Sequence, residues 1–150
     1  MGLFQRLFGG SVGRDTPTPK LEGSPNAGAE PIRLQGLGVF ALEAVGESKY
    51  QESLEAICGG RSEDGADCFI DAVLIHEDDN PYDSEAVRID VAGSTVGYLS
   101  RKHAREYRLQ MARTGHAGDA ASCAARIRGG WDRGDGDAGP FGIRLDIAIV

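Results

Sequence analysis

The fold is decided by the stretch Ala86-Val87-Arg88-Ile89-Asp90-Val91, followed by Ala92-Gly93-Ser94 and then by Thr95-Val96-Gly97-Tyr98-Leu99. Apolar and polar residues alternate through the first part, which is the period of a strand with one buried face. The second part holds residues typical of a turn, and apolar residues return in the third. The stretch predicts two strands joined by a hairpin turn.

Outward from this hairpin, apolar residues recur in short segments, several of which alternate with polar residues. We predict further strands at Val39–Val45, Phe69–His76, Ala124–Ile127 and Ile143–Val150. Two stretches instead predict helices: Tyr50–Ile57, closed by Gly59-Gly60, and Ser100–Arg113, with Ser100 as the N-cap.

The second predicted helix carries an inward-facing stripe of Ala104, Tyr107 and Met111. The order strand, helix, strands, helix, strands predicts an α+β fold that is mainly β with two helices. A compact barrel or strongly curved sheet with the helices packed against it fits this order.

The first part of the chain, residues 1–38, is predicted to lie outside this domain. Leu3, Phe4, Leu7 and Phe8 place two apolar pairs on one face of a short amphipathic helix. So short a helix is unstable alone, and we expect it to dock on its own domain or on a protein partner rather than on a membrane surface. Ser11–Pro31 is crowded with Pro, Gly, Ser and Thr and predicts a disordered linker. The domain then spans residues 39–150.

The bulk composition fits one modest domain plus a tail, with 150 residues and 41% hydrophobic content. The net charge of −7 argues against coating nucleic acid or anionic membranes through the overall field. The charges are unevenly distributed: acids dominate Glu63–Asp90, whereas Arg101–Arg113 is mostly basic. One face of the domain is therefore a candidate basic surface.

Localisation is inferred from the cysteines and from the hydropathy. Cys58, Cys68 and Cys123 are few and scattered, which favours reduced thiols in the cytoplasm, with a Cys58–Cys68 disulfide as the minority alternative. No apolar run approaches the ~20 residues that span a bilayer, so a soluble protein is expected.

Motifs for catalysis, cofactors and metals are not found. The sequence has no nucleophile elbow, phosphate-binding loop or dinucleotide fingerprint, and its histidines are far apart. The acids from Asp78 to Glu85 lack the ligand spacing of a calcium loop and indicate a solvated acidic turn. We expect a protein that is not an enzyme and that binds neither a metal nor a cofactor.

Three passages carry a family resemblance: Val45-Gly46-Glu47-Ser48-Lys49-Tyr50, then Asp79-Asn80-Pro81-Tyr82-Asp83-Ser84-Glu85-Ala86-Val87, then Val96-Gly97-Tyr98-Leu99-Ser100-Arg101. In order and spacing they resemble the HIRAN domain, from about Phe40 to Val150. The resemblance implies an OB-like small β-barrel. In the best-understood members it grips the free 3′ end of single-stranded DNA beside a Swi/Snf-type ATPase, and in bacteria it also occurs alone. It implies a DNA-binding module, with DNA repair or stalled-fork processing as the setting.

The resemblance also implies site residues. Tyr82 matches a base-contacting aromatic, and Asp83 matches the carboxylate that receives the terminal hydroxyl. The alternative is a plain turn in which Asp83 bonds to nearby backbone and Tyr82 plugs the barrel end. Arg101 stands where the family has a phosphate-binding lysine, at a helix start that favours anions, and Tyr98 stands where some members have histidine.

The remaining matches depart further from the family. Lys49 and Tyr50 supply charge and stacking in a shifted register, and Phe141 aligns loosely as a further stacking aromatic. Trp131 serves the last role equally well, and the alternative for either ring is a place in the core.

A protein-interaction module without DNA binding is the rival hypothesis. In this case the barrel and the Leu3–Phe8 segment recruit a partner, and the acidic run Glu63–Asp90 favours it.

Overall fold

The computed structural model describes residues 30–149. Its elements are β1 Ile32–Arg33, β2 Leu42–Glu43, a 3-10 turn Glu47–Lys49, α1 Gln51–Cys58, β3 Ala66–Glu77, β4 Ala86–Val91, β5 Ser94–Tyr98, α2 Arg101–Arg113, β6 Ala121–Gly129 and β7 Phe141–Leu145. The main sheet is antiparallel, in the order β2-β7-β6-β3-β4-β5, and β1 pairs in parallel with the start of β6. The predicted class, mainly β with two helices, is confirmed.

The two ends of this sheet meet. Val45 lies just beyond β2 and pairs with Tyr98 of β5, at the opposite end of the strand order. The Val45 N–H donates to the Tyr98 carbonyl at 2.8 Å, and the Tyr98 N–H donates to the Val45 carbonyl at 2.9 Å. The sheet is therefore curled into a small barrel-like layer that encloses its core.

The core is made by one face of each strand and one stripe of each helix. Along β6, buried Ala121, Cys123, Ala125 and Ile127 alternate with more exposed residues. The predicted stripe of α2, Ala104, Tyr107 and Met111, is buried and therefore confirmed. Leu54 is the buried residue of α1.

The predicted hairpin and the predicted N-cap are confirmed. β4 ends at Val91 and β5 begins at Ser94, with Ala92 and Gly93 between them at φ 52° and 81°. Two positive φ angles are the mark of a type I′ turn, whose twist matches the flanking strands. Ser100 caps α2, since its hydroxyl accepts the His103 N–H at 3.1 Å.

The predicted strand Ile143–Val150 is too long, because the observed strand ends at Leu145. Leu145 pairs with Ala125, so a longer strand would continue beside residues 121–124 of β6. β1 occupies that position, where Ile32 pairs with Ala121. Residues 31–38, assigned to the linker from sequence, thus contribute a strand to the domain.

The first predicted strand, Val39–Val45, is also shorter in the structure, with only Leu42–Glu43 and the Val45 bridge paired. The amphipathic segment Leu3, Phe4, Leu7 and Phe8, and most of the predicted linker, lie outside the described residues. Among residues 30–149, no helix has the length and apolar character needed to cross a bilayer.

Closure of the sheet depends on a glycine at position 97. A Cβ built there would lie 3.1 Å from the Val45 carbonyl oxygen and 3.3 Å from the Ala44 Cβ. We expect Gly97→Ala to lower the free energy of unfolding by about 1–3 kcal/mol, because overpacking pushes the bridge apart. Urea denaturation measures the loss. The matched control is Gly142→Ala, whose Cβ would meet only the Glu47 carboxylate, at 3.4 Å; equal midpoints for the two variants would contradict the expectation.

Candidate nucleic-acid interface

The loop between β3 and β4 is shaped by two consecutive side-chain turns. Asn80 Oδ1 accepts the N–H groups of Tyr82 at 2.8 Å and Asp83 at 3.0 Å. Asp83 Oδ1 in turn accepts the Glu85 N–H at 3.0 Å. These local bonds fix the backbone without a sheet partner. They turn Tyr82 outward, where it is 85% exposed, and Asp83 inward, where its side chain is 11% exposed.

Two arginines of α2 face the Asp83 carboxylate. Arg105 lies 3.4 Å from Oδ1, and Arg101 Nε lies 3.9 Å from Oδ2. Arg101 also donates to the Tyr82 carbonyl at 3.1 Å. One oxygen of Asp83 thus holds the loop, while Oδ2 lies in the ion pair with Arg101 and accepts no hydrogen bond from residues 30–149.

A third arginine holds the end of the same loop. Arg108 donates to the carbonyls of Glu85 and Ala86, both at 2.7 Å, and its guanidinium pairs with Asp78 at 2.8 Å. Arg101, Arg105 and Arg108 are spaced four and three residues apart, which places them on one face of α2. The acidic loop, predicted to be solvated, is therefore partly neutralised by this helix.

Tyr98 connects the loop to Tyr50, which follows the 3-10 turn. Its hydroxyl donates to the Glu77 carboxylate at 2.9 and 3.1 Å, and its ring centroid lies 6.5 Å from that of Tyr50. Glu77 also accepts from Asn80 Nδ2 at 2.8 Å and from Arg88 at 3.2 Å. A continuous chain of contacts thus runs from Tyr50 through Tyr98, Glu77 and Asn80 to the Tyr82 loop.

These contacts shift the pKa of the Glu77 carboxylate. Partial burial alone would raise its pKa, but the hydrogen bonds from Asn80, Tyr98 and Arg88 outweigh burial and hold the pKa below its ordinary value. The pKa of Tyr98 is raised, first by burial and then by its bond to Glu77, so its hydroxyl stays protonated and remains a donor. The charged Glu77 carboxylate therefore links Asn80, Tyr98 and Arg88 at the base of the candidate surface.

The predicted site residues divide into two groups. Tyr82, Asp83, Arg101, Tyr98 and Tyr50 lie along one connected rim, and Lys49 precedes Tyr50 as an exposed residue of the 3-10 turn.

Phe141 is not on this rim. It is 2% exposed, and its ring fills the space beside Gly130 under the Arg61 guanidinium. It belongs to the core, the alternative that sequence reasoning left open. Trp131 is half-buried, stacks over Gly139 and donates its indole N–H to Asp137 at 3.2 Å.

Sequence reasoning did not assign Glu77, Arg105 or Arg108 to the site, although both arginines lie in the segment Arg101–Arg113 that it marked as a candidate basic surface. The spacing of Arg101, Arg105 and Arg108 on one helix face was a usable signal for the two arginines. Nothing local marks Glu77, because its partners come from β4, β5 and the loop.

A concavity with a volume of about 860 Å³ is lined by residues of β2, β3, β6 and β7 and of the segments beside them. Its lining includes Phe40, Trp131, Arg126, Arg128 and Arg144. Two of these cations are matched by carboxylates: Arg126 lies 2.7 Å from Asp67, and Arg144 lies 2.6 Å from Glu43. The lining also includes the carboxylates of Glu43, Glu47, Asp64 and Asp67, so the three arginines do not give the groove a net positive charge.

Comparison of the chain with protein-family models, with curated proteins and with solved structures finds no match. The function is therefore inferred from the residues of the site themselves.

The lowered pKa of Glu77 predicts that its contribution to stability depends on pH. Because its pKa is lowered on folding, its contribution is complete at pH 7 and is lost as the pH falls through the folded-state pKa. We expect Glu77→Gln to lower the free energy of unfolding by about 1–2 kcal/mol at pH 7, since charge-assisted bonds weaken. Denaturant titrations at pH 7 and pH 3 measure the difference from wild type, which should shrink at pH 3. A deficit that is the same at both pH values would contradict the role of the charge.

Proposed function

We propose that the domain is an OB-like, HIRAN-type module that binds single-stranded DNA at a free 3′ end and catalyses no reaction itself. One observation carries the proposal: an exposed aromatic ring, Tyr82, stands beside a largely exposed guanidinium, Arg101, and a carboxylate, Asp83, whose Oδ2 accepts no hydrogen bond from the described residues. This trio matches the three chemical features of a DNA 3′ end, which are a base, a hydroxyl and phosphates.

The carboxylate is the discriminating element. A bare carboxylate repels phosphates, but Arg101 and Arg105 partly neutralise Asp83, and its Oδ2 accepts no hydrogen bond from residues 30–149. A 3′ hydroxyl can donate to that oxygen, whereas a 3′ phosphate brings negative charge to the same place. In the proposed complex Asp83 therefore separates a free end from a blocked end.

The neighbouring groups supply the rest of the binding surface. Tyr82 stacks on the terminal base, and Arg101 contacts a phosphate at the start of α2, where the helix dipole also favours an anion. In the proposed complex Tyr50 and Lys49 contact the preceding nucleotide. Tyr98 is committed to Glu77, so its role is to support this surface and to pack against Tyr50.

In this proposal the affinity for DNA comes from a few side chains rather than from the electrostatic field of the whole protein. The chain carries a net charge of −7, and phosphate neutralisation is limited to residues such as Lys49 and Arg101. Binding is then modest, falls with added salt and is selective for the end. Such selectivity suits DNA repair or the processing of stalled forks.

A protein-interaction module is the second candidate, and a different observation favours it. Leu37, Val39 and Phe69 are 85%, 69% and 64% exposed, and the Phe40 ring packs edge-on against Phe69. Exposed apolar residues close together are typical of surfaces that bind other proteins. This surface belongs to the outer face of the sheet, apart from the Tyr82 loop.

The first test measures end selectivity. Fluorescence anisotropy at low salt compares a labelled single strand that ends in a 3′ hydroxyl with one that ends in a 3′ phosphate. We expect wild type to prefer the hydroxyl, and Asp83→Ala to lose roughly tenfold in affinity for it, because a charge-assisted hydrogen bond is removed. The ratio of the two affinities should then approach one.

The matched control is Arg105→Gln, which removes the ion pair to Asp83 but keeps the carboxylate. It should still prefer the 3′ hydroxyl, because the acceptor remains and a less neutralised carboxylate repels a 3′ phosphate at least as strongly. If neither strand binds, or if both bind with the same affinity, the proposal is wrong and the protein-interaction module is favoured.

Stacking is tested at Tyr82. Because this ring is exposed, Tyr82→Ala should leave thermal stability unchanged while weakening single-strand binding by about 5- to 100-fold, the cost of losing one base–aromatic stack. Tyr82→Phe keeps the ring and should bind as wild type. An alanine variant that binds normally would show that the base lies elsewhere.

A further inference from the structure

Two cysteines that are ten positions apart in the chain meet in space. Cys58 is the last residue of α1, and Cys68 lies near the start of β3 on its inward side. Their Sγ atoms are 3.2 Å apart, and both residues are half-buried. The third cysteine, Cys123, is fully buried in β6. The described chain thus contains one close thiol pair and one isolated thiol.

The segment between the two thiols is held by contacts that do not involve them. Gly59 ends α1 with its N–H on the Ala56 carbonyl at 3.3 Å. Ser62 pairs with Trp131, and its carbonyl accepts the Asp132 N–H at 2.9 Å. Gly65 then takes a positive φ of 77° beneath the Gly129 carbonyl and leads into β3. The approach of Cys58 to Cys68 is therefore fixed by the surrounding fold.

We propose that Cys58 and Cys68 are an oxidative modification site that closes to an intramolecular disulfide with a small-molecule disulfide as the oxidant. One protein thiol gives up its proton and attacks a sulfur of glutathione disulfide, which releases one glutathione thiolate. The second thiol gives up its proton and attacks the protein sulfur of the mixed disulfide, which releases the other glutathione thiolate. Two protein thiols are oxidised, one glutathione disulfide is reduced, and the two protons end on the two glutathione molecules.

The geometry needs little change for this step. A disulfide has an S–S distance of about 2.05 Å, so the sulfurs must approach by roughly 1 Å, within reach of side-chain rotation. Attack by Cys58 is slow near neutral pH, because burial and the contact with Cys68 raise the pKa of its thiol to about 12. This attack becomes faster as the pH rises.

The disulfide would join the end of α1 directly to β3. Since it closes a short loop in the unfolded chain, it should raise the melting temperature, by an amount on the order of 5–10 °C. This inference does not depend on DNA binding, although α1 begins immediately after Tyr50 of the candidate interface.

The test uses the full chain, incubated with glutathione disulfide at pH 8.5 and compared with a dithiothreitol-reduced sample. Thiol titration under denaturing conditions should fall from three groups to one, and peptide mapping should recover Cys58 linked to Cys68. Cys123→Ser should form the same link. In Cys58→Ser and in Cys68→Ser the partner cysteine should remain a thiol or carry a glutathione.

Three results would overturn the proposal: three free thiols in the treated wild type, a wild type that stops at the glutathione adduct, or a linked form that melts no higher than the reduced form. The melting comparison uses the same protein before and after oxidation, so a folding defect in a variant does not affect it.

Discussion

The pairing of Val45 with Tyr98 is the contact on which the rest of the structure depends. It joins strands that lie at opposite ends of the sheet order, and it does so with two hydrogen bonds. Because of this closure, the turn Glu47–Lys49 and Tyr50 come to lie beside Tyr98, and Tyr98 in turn lies above Glu77. Without it, Tyr50 and the Tyr82 loop would belong to separate edges of an open sheet.

Local charge in this domain differs sharply from net charge. The acidic loop between β3 and β4 accounts for part of the overall −7, yet Arg101, Arg105 and Arg108 of α2 hold its carboxylates and carbonyls. These ion pairs are partly exposed and contribute modestly to stability. Their larger effect is to fix the loop, so that Tyr82 projects into solvent and Asp83 turns toward the helix.

Sequence predicted well what depends on neighbours in the chain. The alternation in Ala86–Val91, the Ala92-Gly93 turn and the Ser100 cap are local, and each is present in the structure. The end of β7 could not be predicted from its own residues, because it is set by β1, which occupies the next positions along β6. A two-residue strand within a linker-like composition carries no periodicity to detect.

The candidate site follows the same division. Tyr82, Asp83 and Arg101 could be predicted as candidates because their motifs are contiguous in the chain. Glu77 could not, because its three hydrogen-bond partners lie on β4, β5 and the loop. Phe141 was predicted to be a surface aromatic from a loose alignment. The packing of Gly130 against its ring instead places it in the core.

Asp83 reconciles the two readings of the Asn80–Asp83 turn. Oδ1 accepts the Glu85 N–H, as a purely structural turn requires, while Oδ2 points toward Arg101 at a distance too long for a hydrogen bond. One carboxylate can therefore shape the loop through Oδ1, while Oδ2 accepts no hydrogen bond from the described residues. In the proposed function, selectivity comes from a single hydroxyl and one stacked base, and these two contacts do not require a positively charged surface.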